Sequence, residues 1–271
     1  MSAQVLTQSF CGSSRDGQSY WIFASPIGLG MTPDHTDRSE GEAQGAGQVP
    51  SDSPAMPRDW AAALEQLGHL RAQRDIQHVL YINLDKRTDR REHIESELAS
   101  MGFCQHDITR VEAIDARSNG ETPANCCARS HVLAIETAIA AGWDTVLIVE
   151  DDFMLLESAR ATWRRWAQFL WHVPTYDIAS WSHNCLWASA WPAGGVARVR
   201  YLQTASAYVV RKAAMTKLRD IIHEAIAINR PFDRHMTNIA NELGWYALKP
   251  PLGQQMPSYS DIELRYVNYG C

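Results

Sequence analysis

The 271-residue sequence predicts an α/β fold: a mostly parallel central sheet flanked by helices, preceded by an N-terminal extension of different character. Three observations point there. Val146 to Val149 is an unbroken apolar run, the mark of a strand covered on both faces. Strand-like and helix-like segments alternate from Gln77 onward, as parallel strands joined by right-handed crossovers require. The composition also changes near residue 58. The stretch before it is rich in Ser, Gly, Pro, Asp and Gln and has little periodicity after Met31.

Residues 1–58 are therefore expected to form a flexible or loosely packed extension, and 59–271 a single domain. Asp59 is a candidate cap for an amphipathic helix over 60–76, with Leu64, Leu67 and Leu70 on one face. HVLYINL (78–84) reads as a buried strand, and a helix over 88–101 follows, with Ile94 and Leu98 as core positions and Gly102 ending it. A strand over 109–115, a helix over 125–141 and the strand at 146 come next. A helix over 157–171 stops before Pro174 and leads to a strand over 176–182. Beyond it lie strands RVRYLQ and SAYVVR, helices over 212–227 and 231–243, and the strand WYAL (245–248). Trp163, Trp166 and Trp181 read as core. Trp187 and Trp191 fall with Trp181 in a stretch of weak helix and strand signals, where aromatic faces suit sugar rings.

The chemistry gathers at Glu150, Asp151 and Asp152, which follow the apolar strand directly. Ligands of open α/β sheets bind at the carboxyl ends of strands. Three adjacent acids repel one another unless a cation is held there, and a divalent metal with a phosphorylated substrate supplies that charge. A solvated acidic turn is the plain alternative. The net charge of −6 and pI near 5.9, with no basic block, argue against nucleic acid as the main partner. No run approaches a transmembrane span, and the apolar stretch from Tyr20 to Met31 is broken and lacks a basic leader. The six cysteines show neither zinc-finger spacing nor a small disulfide framework, which favours a reducing compartment.

Several motifs resemble glycosyltransferase family 25, the group of bacterial lipooligosaccharide galactosyltransferases and collagen galactosyltransferases. They are INLDKRTDR (82–90), CARSH (127–131), GWDTVLIVEDD (142–152), TASAYVVRKAAMTKL (204–218), PFD (231–233) and PPLGQQMPSYSDI (250–262). They stand in the family's order and cover roughly 78–262. The chain departs from the pattern where Pro123, Ala124, Asn125 and Cys126 replace Gly-Glu-Ile-Gly, and where Arg129 replaces an apolar residue. The resemblance implies a GT-A-like fold, a nucleoside-diphosphate hexose donor (UDP-galactose or UDP-glucose) and Mn²⁺ or Mg²⁺. It implies transfer, with inversion, to a hydroxyl of a glycan, lipid-linked or other hydroxylated acceptor.

The resemblance also assigns roles. Asp152 is the direct metal ligand, and Glu150 reaches the metal, a bound water or the ribose. If the strand continued, these two would share one side and Asp151 would point away, to cap the next segment or orient a cation. Asn83 and Leu84 end the strand where the base binds. Arg87 and Arg90 attract the pyrophosphate, against the alternative of a solvated helix face paired with Asp85, Asp89 or Glu95; Arg91 is expected to belong to that face. Ser130 and His131 are donor-side positions, with a buried structural histidine as the alternative. Gln255 contacts donor or acceptor. Asp233 is the candidate base, or else a helix cap, and His235 and Asp261 stand in reserve. Cys127 reads as packing. The competing class is a degenerate, non-catalytic module that binds sugar nucleotides or glycans. A lipid-linked acceptor would place the protein on the cytoplasmic side of a membrane, as a peripheral enzyme.

Overall fold

The structure is a computed structural model that describes residues 9–13, 19–23, 68, 72–190 and 195–268. The chain divides into two units, Met1–Pro54 and Ala55–Cys271. In the first, β1 (Ser9–Ser13) pairs antiparallel with β2 (Ser19–Phe23). The rest of the expected extension, and most of the expected helix over 60–76, lie outside the described residues; 72–75 are helical.

The second unit is α/β. Its chain runs β3 (His78–Asn83), α1 (Thr88–Ser100), β4 (Ile108–Glu112), a short α2 (Ala116–Asn119), α3 (Pro123–Ala141) and β5 (Thr145–Glu150). Then follow β6 (Phe153–Leu155), α4 (Ala159–His172), β7 (Ile178–Ser180), β8 (Asn184–Ala190), β9 (Val196–Gln203), β10 (Ala207–Arg211) and α5 (Lys212–Ala227). α6 (Phe232–Met236), β11 (Trp245–Leu248), β12 (Gly253–Gln255), β13 (Ser258–Ser260) and β14 (Arg265–Val267) complete it.

Eight strands form one sheet in the order β4-β3-β5-β10-β7-β11-β9-β8. β3 is parallel to β4 and β5, and β7 to β11, while β10 and β9 run against their neighbours. Six strands thus share one direction, so the sheet is mostly parallel as the sequence predicts. Alternation sorts the core. Leu80, Ile82, Val146 and Ile148 face α3 and α5, whereas Val79, Tyr81, Leu147 and Val149 face α1 and α4. Trp163, Trp166 and Trp181 are fully buried on the second face.

Local chemistry sets the helix ends. Thr122 Oγ1 accepts from Asn125 N, Pro123 opens α3, and Gly142 closes it at φ 75°. Ser158 caps α4 in the same way.

Three expectations need correction. The apolar strand stops at Glu150, and Asp151 and Asp152 lie in a turn, so strict alternation does not govern them. The expected helix over 231–243 is broken: α6 gives way to a 3₁₀ turn at Thr237–Ile239. The Thr237 hydroxyl donates to the Arg234 carbonyl at 2.6 Å, a local bond that competes with helix continuation. The weak-signal stretch after Trp181 contains β8, an edge strand with two register shifts beside Trp187. Trp187 is 72% exposed, and Trp191 lies outside the described residues.

Candidate active site at the carboxyl ends of the strands

The chain leaves β3 through α1 to reach β4 on one side, then crosses through α3 to β5 on the other. α1 packs on one face of the sheet and α3 on the opposite one. Connections that diverge in this way leave a crevice outside the carboxyl ends of β3 and β5, where α/β sheets take their ligands. A cavity of about 370 Å³ lies there. Ile82, Leu84, Ala113 and Ile114 supply apolar wall; Glu150, Asp152 and Gln255 supply the polar end. The α3 N-terminus contributes Pro123, Cys126 and Cys127, and Ser260, Asp261 and Ile262 close the far side.

The three acids divide. Glu150 keeps the parity of Val146 and Ile148 and so points to the α3 face. There its Oε1 meets His131 Nε2 at 3.0 Å, and its Oε2 accepts from Gln255 Nε2 at 3.1 Å. Asp152 Oδ1 receives the same Gln255 nitrogen at 3.4 Å. Asp151 turns toward α1: Asn83 Nδ2 donates to its Oδ2 at 2.7 Å and Arg90 Nη1 to its Oδ1 at 3.0 Å. Glu150 and Asp152 therefore meet around Gln255, while Asp151 anchors the turn. Arg90 Nη1 also reaches Asp152 Oδ2 at 3.2 Å, so the turn after Glu150, not strand alternation, sets where each acid points.

Burial pushes the Asp152 carboxyl up to about 7, with Glu150 adding to the rise and Arg90 opposing it. Burial also raises Asp151, against Arg90 and Asn83. The Gln255 amide lies between the Glu150 and Asp152 carboxylates, with Arg90 3.2 Å from Asp152 on the other side. Oxygen donors crowded this way fit a hard divalent ion such as Mg²⁺ or Mn²⁺.

Asn83 lies off the cavity wall: its Oδ1 accepts from Arg110 Nε at 3.1 Å and its Nδ2 also donates to Arg87 O at 3.0 Å. Leu84 does line the cavity. Arg90 reaches the wall but is buried, donating to Ser258 Oγ and Tyr259 O and lying 3.2 Å from Asp152. Arg87 binds Asp89 and Asp261, which raises its own pKa and pulls Asp89 down to about 2. Arg91 pairs with Asp85, as the solvated-face reading expects. Ser130 Oγ donates to Cys126 O and accepts from Ile114 N, tying α3 to the loop after β4. His131 is fully buried between Glu150 and Tyr208.

Asp233 is not on the cavity wall. Its oxygens accept the backbone N–H of Thr204, a residue at φ 74°, and of Arg234. The sequence reading missed Lys86 and Asp115, which pair at 2.7 Å on the wall. Lys86 sits in the charged DKRT turn, the one signal available for it; Asp115 has none beyond its place after a strand.

No family model matches the chain, and no curated protein matches it. Several solved structures match it in part. A glycosyltransferase involved in glycosylation of the major capsid of PBCV-1 matches with a TM-score of 0.42 and 13% identity, over 69% of this chain and 95% of that one. Mannose-1-phosphate geranyltransferase from Thermus thermophilus gives 0.38 and 9%, over 67% and 74%. A197 from STIV gives 0.38 and 14%, over 64% and 82%.

Proposed function

We propose that the chain is a metal-dependent glycosyltransferase of the family 25 type. It moves a hexose, galactose or glucose, from a UDP sugar to a hydroxyl of a glycan or lipid-linked acceptor, with inversion. One observation carries the reading: Glu150 and Asp152 converge on Gln255 in the wall of a cavity between the diverging crossovers. Glu150 and Asp152 would hold Mn²⁺ or Mg²⁺ there, and the ion would supply the positive charge that a departing diphosphate needs. Leu84, Ile82 and Ile114 form the apolar part of the wall, on which a base packs. Arg90 holds Asp151 and Asp152 in place from behind, and Lys86 offers a cation to the phosphates. Asp233, on the acceptor side, takes the hydroxyl proton, and this requires a shift of its hold on the Thr204 N–H.

Ile262 and Leu264 line the cavity and are exposed, which suits a lipid-linked acceptor and peripheral attachment at the cytoplasmic face of a membrane. Among the described residues no helix is long and apolar enough to cross one. Fractionation that recovers the protein as a secreted, disulfide-bonded species would rule that location out.

A second reading, a non-catalytic binding module, draws support from the paired state of Arg87 and the engaged oxygens of Asp233. The two separate in one experiment with an acceptor-independent readout. The enzyme releases nucleotide from a UDP sugar only with metal, and Asp233→Asn slows release while nucleotide still binds. The module binds nucleotide with metal and never turns it over.

A further inference from the structure

Glu150 uses its two oxygens in different directions. Oε2 belongs to the cluster with Gln255 and Asp152. Oε1 faces away from it, 3.0 Å from His131 Nε2 and 3.8 Å from the Cys127 thiol. One ligand atom each of Cys127, His131 and Glu150 lie within 4.8 Å of one another. We propose that Cys127, His131 and Glu150 form a second cation site, selective for Zn²⁺ or a similar borderline-soft ion, which shares Glu150 with the oxygen site.

Four features support it. The donors are one sulfur, one imidazole nitrogen and one carboxylate oxygen, a set that favours zinc over magnesium. Cys127 and His131 stand four residues apart on α3, so they project from one helix face toward the end of β5. Tetrahedral zinc with bonds of roughly 2.0–2.3 Å separates its ligands by about 3.3–3.8 Å. The two approaches to Glu150, 3.0 and 3.8 Å, lie close to that span. The far nitrogen of His131 is also held, with Nδ1 3.1 Å from the Tyr208 hydroxyl. Such a bond behind a metal-binding histidine fixes its ring and tautomer.

The ion has a way in, because Cys127 and Glu150 line the cavity while His131 closes the site from behind. Its remaining coordination position faces the cavity, open to water or an oxygen ligand. Binding converts the Cys127 thiol to thiolate and releases that proton to solvent. The other sulfur-containing group among the described residues, Cys104, His106 and Asp107, is mostly exposed in one short turn and serves as the control.

The test titrates Co²⁺ into the metal-free full chain and follows the near-ultraviolet thiolate-to-cobalt charge-transfer band. The proposal expects the band to saturate at a single ion per chain and to vanish when Zn²⁺ is added. Cys127→Ser abolishes it, whereas Cys126→Ser and Cys104→Ser leave it. Tyr208→Phe, which removes only the hydroxyl behind His131, weakens cobalt affinity about 10-fold or more. Circular dichroism checks that each variant folds. A wild type without the band, a band that survives Cys127→Ser, or a band lost with Cys104→Ser overturns the proposal. No sugar nucleotide enters this measurement. A silent donor assay therefore leaves the cobalt result standing, and an absent band leaves the transferase reading untouched.

Discussion

At the scale of single residues, charge placement decides most of the behaviour. Arg90 is buried against Asp151 and Asp152, with side-chain exposures of 10%, 9% and 11%. Removing one member of such a group strands a buried charge. Arg90→Ala is expected to cost roughly 3–5 kcal/mol, read by urea denaturation. Asp152 titrates with the opposite sign from an ordinary paired carboxylate. Its folded-state pKa is raised to about 7, so its contribution to stability is full in acid and is lost as the pH climbs toward about 7. Metal-free protein is therefore expected to melt lower at mildly alkaline than at mildly acidic pH, and Asp152→Asn to flatten that slope. Divalent metal competes with the same proton, so metal affinity should rise with pH up to about 7, as calorimetry can follow. The sequence made the acidic triplet visible but not its division of labour. That division depends on Arg90 and Asn83 reaching Asp151 from α1 and β3, contacts 61 and 68 residues apart in the chain. Lys86 and Asp115 were illegible for the same reason: each is an ordinary turn residue until the fold brings them together.

At the scale of elements, the short β6–β12 pair carries more of the site than its length implies. Gly253 lies opposite Leu155, and Gln255 opposite Phe153. A Cβ on Gly253 would collide with the Phe153 ring and come within 2.7 Å of Met154 O. Phe153 is fully buried and has nowhere to go. Gly253→Ala should destabilise by about 1–3 kcal/mol and, by moving Gln255, weaken metal binding in the same variant. Metal affinity unchanged at reduced stability would separate Gln255 from the proposed metal site. Elements with strong periodicity were legible in sequence: α1, α3, α4 and α5 all lie close to their expected ranges. β8 was not, because an edge strand of mixed residues needs neither alternation nor a run of apolar side chains. The expected helix over 231–243 failed for a local reason, the Thr237 hydroxyl bond to Arg234 O.

At the scale of the whole unit, one sheet separates two apolar clusters, and β3, β5 and β10 contribute side chains to both. The two faces should therefore unfold together. Trp163→Ala on the α4 face and Ile135→Ala on the α3 face are expected to cost about 3–5 and 2–5 kcal/mol respectively, each shifting one shared transition. Two separate transitions would contradict that coupling. The α/β class and the dominant strand direction were legible because buried parallel strands need long apolar runs and helices between them. The placement of β10 and β9 against that direction was not, since strand order is a property of long-range pairing.

We propose that Glu150 and Asp152 hold a metal that serves a sugar nucleotide. Donor hydrolysis tests it most directly, with a panel of nucleotide sugars and Mn²⁺, Mg²⁺ or EDTA, on the wild type and on Asp152→Ala. The account predicts release of one nucleotide that requires metal, stops with EDTA and falls by about 100-fold or more in the variant, the order of one lost transition-state charge contact. Release that is indifferent to metal and to Asp152, or no nucleotide binding at all, would contradict it and reduce the acidic triplet to a turn.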